Sequence, residues 1–266
     1  LSGGFAVQSS LLDSRSRSLG YALAREFYER GVEKRIMNEN VNLEAAIGVL
    51  AFLGMAFLLG LAALLTLHAL KTKRRQRARK IGLAALIGLG LYITLIVAFS
   101  LMSRDRALAI GEEKHFCEID CHVANSVLSV RKTRTLGDAP QQAISAGIFY
   151  VVTVRTRFDE TTTSATRGDG LLTPNSRILT VLDGEGNAYE QSVEGQRALD
   201  AALGGGVPLD TPLRPGQSYT TEVVFDLPTD VKNPELLMRE GDFVTRFIIG
   251  HENSFLHKKT KFRLES

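Results

Sequence analysis

Cysteine is scarce in this sequence, with 2 in 266 residues, and that excludes a small fold stapled by disulfides. An excess of one charge is nearly absent as well. The formal net charge is +3, from 32 basic and 29 acidic residues, which is too little to mark a nucleic-acid binder. No Ser, Asp or His stands in a recognisable nucleophile frame. The run Gly204, Gly205, Gly206 lacks the Lys-Ser/Thr that a phosphate loop requires, and Arg167-Gly168-Asp169 in a Thr-rich stretch reads as a turn. A mean hydropathy of +0.02 suits a soluble protein. That average hides a sharp division of the chain.

Two stretches contain no charge at all. Residues 45–67, AAIGVLAFLGMAFLLGLAALLTL, and residues 81–102, IGLAALIGLGLYITLIVAFSLM, hold 23 and 22 residues. At about 1.5 Å per residue each crosses about 30 Å of hydrocarbon. Neither reads as a cleaved signal peptide, because the first lies too far into the chain and both exceed the usual apolar core of such signals. A charge inside a span is the usual mark of an ion path or proton relay. Its absence in both argues against transport by this chain alone.

Between the runs lies KTKRRQRARK, residues 71–80, in which Lys71, Lys73, Arg74, Arg75, Arg77, Arg79 and Lys80 are basic and none is acidic. In so short a connection this bias places the loop, residues 68–80, on the cytoplasmic side, near anionic lipid headgroups. Both termini are then outside, and the expected location is a bacterial cytoplasmic membrane with periplasmic ends. Ala56 and Gly60, and Ala84 and Gly88, repeat at the four-residue spacing that lets helices approach closely, either each other or a neighbouring subunit. His68, beside Lys71, is the weaker candidate for a haem or chlorophyll ligand.

Ahead of the first span, residues 1–44 form a tail in which Met37 is an alternative start. Leu19, Leu23, Phe27, Tyr28 and Val32 recur at near-helical spacing among Arg25, Glu26, Arg30 and Glu33, which predicts a short amphipathic helix. Its apolar stripe needs cover, and the balance of acids and bases favours a protein partner over lipid.

After residue 103 the pattern becomes strand-like. Residues 148–158, IFYVVTVRTRF, alternate Val152, Val154, Thr156 and Phe158 against Thr153, Arg155 and Arg157. Residues 176–192 read as two strands about a turn at 183–187, and residues 212–228 as a turn on Pro215 and Gly216 followed by a strand. Residues 243–250 and 259–264 are the last expected strands. Short antiparallel strands at this spacing predict a β-sandwich over residues 104–266.

The hairpin residues Leu182, Asp183, Gly186, Asn187 and Tyr189, followed by Leu213, Pro215, Gly216, Val224, Phe225 and Pro228, resemble the small immunoglobulin-like or telokin-like extracellular domains found behind membrane anchors in bacterial proteins. That resemblance implies an all-β immunoglobulin-like sandwich with binding or structural roles and no shared catalytic set. Residues 196–209, containing AALGGGVPL, depart from the pattern and read as a surface excursion.

The segment HFCEIDCH gathers His115, Cys117, Cys121 and His122 just beyond the second span. Thiolates and imidazoles together suit copper or zinc. The dinuclear copper pattern of oxidase subunit two fails here, because Asn125 and Leu128 stand where it needs His and Met. The copper-delivery pattern fails at His122, where it needs Pro. Along a regular strand the two cysteines lie about 13 Å apart, too far for a disulfide; in a turn they can meet. Three readings remain open: a cystine tether, free thiols, and a metal or redox site that His251 and His257 complete if the fold returns them to this segment.

Two functions compete on this sequence. One is a non-catalytic accessory or scaffold subunit without cofactor, docking other membrane subunits in a larger assembly, with respiratory and photosynthetic complexes the natural hosts. The alternative is a periplasmic copper, zinc or thiol protein acting through the cysteine cluster.

Overall fold

The computed structural model describes residues 43–116, 122–163 and 167–265. The tail with Leu19, Leu23, Phe27, Tyr28 and Val32, and both Cys117 and Cys121, lie outside the described residues.

The two charge-free runs form helices α1, Leu43–Lys71, and α2, Arg75–Met102, each long and apolar enough to cross a membrane. The expected loop over residues 68–80 shrinks to three residues. Lys, Arg and Gln are good helix formers, so the basic run extends both helices instead of separating them. Lys73 takes a left-handed φ of 60° at the turn, and the Thr72 and Arg74 amides close it onto the His68 and Ala69 carbonyls. All seven basic side chains stay exposed, and Lys71 at the α1 C-terminus complements the helix dipole.

The seam between the helices follows a 3-4 spacing. Phe52, Met55, Leu59, Ala62, Thr66 and Ala69 of α1 are its less exposed positions, with Ala78, Ala85, Gly88, Tyr92 and Ile96 of α2. Ala84 and Gly88 are among the residues that line the groove between the helices. Ala56 and Gly60 point away from α2 and are exposed.

Beyond the hairpin is a β-sandwich of two sheets. One has the order β1-β9-β8-β5-β6, with β1 (Arg106–Leu108), β5 (Arg177–Leu182), β6 (Ala188–Tyr189), β8 (Glu235–Glu240) and β9 (Thr260–Arg263). The other has the order β2-β3-β4-β7, with β2 (Lys114–Phe116), β3 (Val123–Leu136), β4 (Ala143–Phe158) and β7 (Ser218–Leu227). The sheets enclose one core, in which Tyr150, Val152, Val154 and Phe225 of the second sheet meet Leu179, Val181, Leu236, Met238 and Phe262 of the first. The β5–β6 hairpin and the turn before β7 fall where the sequence places them, with Gly186 and Gly216 at φ 90° and 77°.

Two expectations fail. Residues 243–250 form no strand; Val244–Phe247 is a 3-10 turn, and the strand lies earlier, as β8. Residues 196–209 are also no mere excursion, because helix α3, Val193–Leu203, occupies most of them. Ser192 caps α3 by accepting from the Gly195 amide, and Gly204 ends it in the left-handed conformation at φ 77°. Its Ala198 and Leu199 pack on Phe149, Val151, Val224 and Leu136, the outer face of the second sheet. A side chain at Gly195 would place its Cβ 2.7 Å from a Val224 methyl, so glycine sets the distance of closest approach.

This second, smaller core is open to test. Leu199→Ala removes a buried side chain from it and will lower sandwich stability by about 3 kcal/mol, read by urea unfolding in detergent.

Candidate functional site

Strand β4 emerges from the core through Arg155, Arg157 and Phe158 into Asp159, which caps a 3-10 turn at Glu160–Thr162. Arg157 forks onto Glu113 at 2.9 and 2.7 Å and reaches Asp159 at 3.1 Å, while Arg155 meets the same Glu113 at 2.8 Å. His115 Nε2 lies 3.1 Å from Asp159, and the Thr161 amide and hydroxyl both donate to that carboxylate. Burial pushes the Asp159 carboxyl up, but hydrogen bonds from Thr161, Arg157 and His115 more than offset it and hold it well below the usual carboxylate range. The Arg157 hydrogen bond likewise draws Glu113 down. This network fixes β2 and its histidine against β4.

One position along from His115, Lys114 points the other way and is 5% exposed. Its ammonium donates to Glu252 at 2.7 Å and to the Met238 and Thr260 carbonyls at 3.2 Å, tying β2 to β8 and β9 of the opposite sheet. Burial depresses its pKa, and Glu252 opposes the shift. Arg177 and Glu240 pair at 2.9 Å nearby, both almost fully buried, and the Arg177 guanidinium lies 4.0 Å from the centre of the Phe116 ring.

These pairs form the walls of a cavity of about 240 Å³ whose lining includes Arg104, His115, Arg239, His251, His257 and Lys258. Its two acids are already matched, Glu240 by Arg177 and Glu252 by Lys114. Arg104, Arg239 and Lys258 have no ion pair among the described residues, so the cavity is cationic. Lys259 beside it is lowered to about 8, chiefly by burial, with Lys114, Arg239 and Arg246 adding repulsion. The cavity adjoins the end of α2, where Ser103 Oγ accepts the Lys258 amide at 2.8 Å.

The sequence-derived ligands divide between two places. His115, His251 and His257 line this cavity. His122 lies apart, its Nδ1 2.7 Å from the Thr162 hydroxyl and its ring stacked on Phe158 at 5.5 Å. Phe116 pairs with Val123, and Cys117 and Cys121 stand between these partners in sequence, outside the described residues. His251 is occupied, accepting the Asn253 amide on Nδ1 at 3.0 Å and facing Glu240 at 3.5 Å. His257 differs. Its Nδ1 is 2.7 Å from the Lys258 carbonyl, and burial pushes its pKa down, which leaves a neutral ring with Nε2 as acceptor. Among the described residues no group of three or more His, Cys, Asp or Glu is placed to hold a metal ion.

Sequence reasoning missed Lys114, Glu252 and the Asp159 hub. The one local signal was a lysine two residues from Phe116, on the inward face of a strand. The motif behind the family resemblance proves architectural in its geometry. Asp183 accepts from the Glu185 and Asn187 amides and the Asn187 and Tyr189 side chains, while Leu213, Val224 and Phe225 are core.

No family model and no curated protein matches the chain. Among solved structures, a conserved hypothetical protein from Bacillus anthracis is 15% identical, over 50% of this chain and 88% of its own, with a TM-score of 0.34. A secreted protein from Mycobacterium tuberculosis, MPT63, is 12% identical, over 62% of this chain and 99% of its own, with a TM-score of 0.37. At these scores neither likeness carries an argument about this chain.

Two titrations test the site. The folded pKa of Asp159 lies below its unfolded value of about 4, so its stabilisation is complete above that pH and is lost as pH falls through the folded value. Asp159→Asn will therefore cost about 2 kcal/mol at pH 7, and its difference from the parent protein will shrink in acid unfolding curves. For Lys259 the slope has the same sign in a higher window, but here it is relief of a cost, because burial disfavours the charged ammonium. The folded state holds fewer protons between about 8 and the unfolded value of about 10.4, so this lysine adds stability as pH rises across that window. Its Nζ resonance will titrate near pH 8; a midpoint near 10 would remove the claimed burial effect.

Proposed function

We propose that this chain is a non-catalytic accessory subunit of a larger membrane assembly. It is a two-pass anchor in a bacterial cytoplasmic membrane, with the basic turn inside and both termini outside. Its immunoglobulin-like sandwich, its helices and its N-terminal tail dock other membrane subunits, respiratory or photosynthetic complexes being the natural hosts.

The observation that carries this reading is the fixed seat of the sandwich on the hairpin. Tyr92 donates to the Phe247 carbonyl at 2.8 Å, Lys258 donates to Ser103, and Gly48 of α1 abuts the Ile249 carbonyl so closely that a Cβ would meet it at 2.4 Å. A tethered catalytic domain needs no such seat. A subunit that must hold a surface at a set height and angle over the bilayer does. The site chemistry agrees, since Asp159 and Glu113 are held by Arg157, Glu240 by Arg177 and Glu252 by Lys114 in fixed structural pairs.

The outward-facing Ala56 and Gly60 offer helix α1 a close approach to a neighbour. Gly60→Leu will leave sandwich unfolding unchanged and strip associated subunits from the natively extracted protein, read by native mass measurement. A parent chain that runs as a monomer after gentle extraction would overturn the reading.

A second reading has one observation in its favour: three histidines share a cavity next to Phe116, the residue before Cys117, and His257 presents an unprotonated nitrogen. On this reading copper or zinc is held by Cys117, Cys121 and His115, with His122 or His257 completing the set. Metal analysis of the parent protein and of the Cys117→Ser, Cys121→Ser double variant decides it. Stoichiometric metal lost in the variant supports the metal protein; no metal and unchanged assembly support the subunit.

A further inference from the structure

Residues 242–257 leave the end of β8 and return to β9, and they carry a group of exposed apolar side chains. Phe243, Val244, Phe255 and Leu256 are 60%, 46%, 47% and 68% exposed. Phe247 bridges the aromatic pair, edge-on to Phe243 at 5.3 Å and to Phe255 at 5.5 Å, so the patch is one connected ridge. Such a ridge in water is costly unless something covers it.

Its position says what does. The Phe247 carbonyl is bound by Tyr92, ten residues before the end of α2, which is about 15 Å back along the helix axis. Ile248 and Ile249 meet Gly48, five residues into α1, on the same side of the turn. The ridge thus lies alongside the hairpin, continuous with its lipid-facing apolar surface rather than above it. Of the charges near the ridge, Asp242 is exposed and caps the turn through the Val244 amide, while Arg246 is half-buried with its guanidinium 5.4 Å from the Phe243 ring centre.

Non-helical backbone at membrane depth survives only where its polar groups are satisfied. The loop meets part of that demand from within. The amides of Arg246, Ile248, His251, Ser254 and His257 each bond a carbonyl three residues back, and the Val244 and Asn253 amides bond the Asp242 and His251 side chains. Side chains bond three carbonyls, with Thr245 on Asp242, Ser254 joining the His251 amide on Ile248, and Asn253 on Glu240 at the end of β8. Above the ridge, Arg104, Arg239 and Lys258 line the cationic cavity at the level where phosphate headgroups lie.

We propose that residues 242–257 form a monotopic membrane-contact loop, immersed in the leaflet on the sandwich side, with phospholipid as its partner. The loop acts as a wedge beside the hairpin and sets the sandwich against the bilayer surface. The proposal rests on the hairpin spanning a membrane, and its test separates the two.

The chain contains no tryptophan, so single-tryptophan variants report without background. Phe243→Trp, Phe255→Trp and the mid-hairpin reference Phe57→Trp are each placed in the full chain, reconstituted alone into phosphatidylcholine-phosphatidylglycerol vesicles carrying bromines at defined acyl depths. Immersion predicts blue-shifted emission from positions 243 and 255, quenched best by shallow bromines, and quenching of position 57 by deep ones. Two independent loop positions keep the result readable if one variant misfolds. Quenching at 57 with water-like emission or no quenching at 243 and 255 overturns the loop and leaves the anchor standing. Blue-shifted but unquenched loop emission also overturns it, pointing to protein cover. No quenching at any position overturns the spanning hairpin itself.

Discussion

Strand β4 is the element on which the rest of the sandwich depends, because both of its faces are covered. On one face Tyr150, Val152 and Val154 fill the space between the sheets; on the other Phe149 and Val151 lie under α3. A strand buried on both faces cannot slip in register without exposing one core or the other. Its pairing with β3 and β7 is therefore held over most of its length. The same register delivers Arg155, Arg157 and Asp159 at a fixed height beyond the core, where they clamp Glu113 and His115 of the short strand β2. Three residues of strand cannot hold a position by backbone bonds alone. The ion network, with Lys114 reaching across to the other sheet, supplies the missing constraint.

From β2 the order passes to the cavity and then to the membrane. Lys114 holds Glu252 on the segment before β9, Asn253 bonds the Glu240 carbonyl, and the loop between β8 and β9 is fixed at both ends before it meets the hairpin. The cavity is cationic for the same reason. Its acids are spent on structural pairs, while Arg104, Arg239 and Lys258 line the opening toward the end of α2. Charge and apolar surface are sorted by height, cations at the mouth and phenylalanines below, as an element crossing from water into lipid requires.

How much of this was legible depended on whether a local pattern or a distant partner decided the outcome. The hairpin was legible because two runs without charge have one stable solution in lipid, a helix, and the basic residues between them need only a turn. The alternation through Val152, Val154 and Phe158, and the Asp183 turn, were legible because their chemistry is local. Strand β8 was not. ELLMRE carries no β-branched residue and reads as readily as helix; Leu236 and Met238 are strand because the opposite sheet buries them on one face. Helix α3 was hidden by the glycines that follow it, and its cover of Phe149 is a contact no window of sequence contains. The candidate site was legible only in part: the histidines were visible, but Lys114, Glu252 and Asp159 act across 44 to 138 positions of chain.

The misreading of residues 243–250 as a strand is the most instructive of these, because it followed from the residues themselves. FVTRFIIG has the aromatic and β-branched content of a buried strand, and in a soluble domain that content calls for a sheet. Here Val244–Phe247 forms a 3-10 turn in which the Val244, Arg246 and Ile248 amides are bonded locally, with Phe243 and Val244 turned outward. Strand composition without strand pairing is stable only if another apolar medium takes the place of the opposing sheet. The hairpin places such a medium beside it: Tyr92, Ile96 and Ser100 form one buried face of α2, bonded at one end to Phe247 and joined just past the other to Lys258 through Ser103. The loop's hydrophobicity is thus a property of the hairpin as much as of the sandwich, and under the proposed membrane contact the sandwich rests on the bilayer rather than standing off on a stalk.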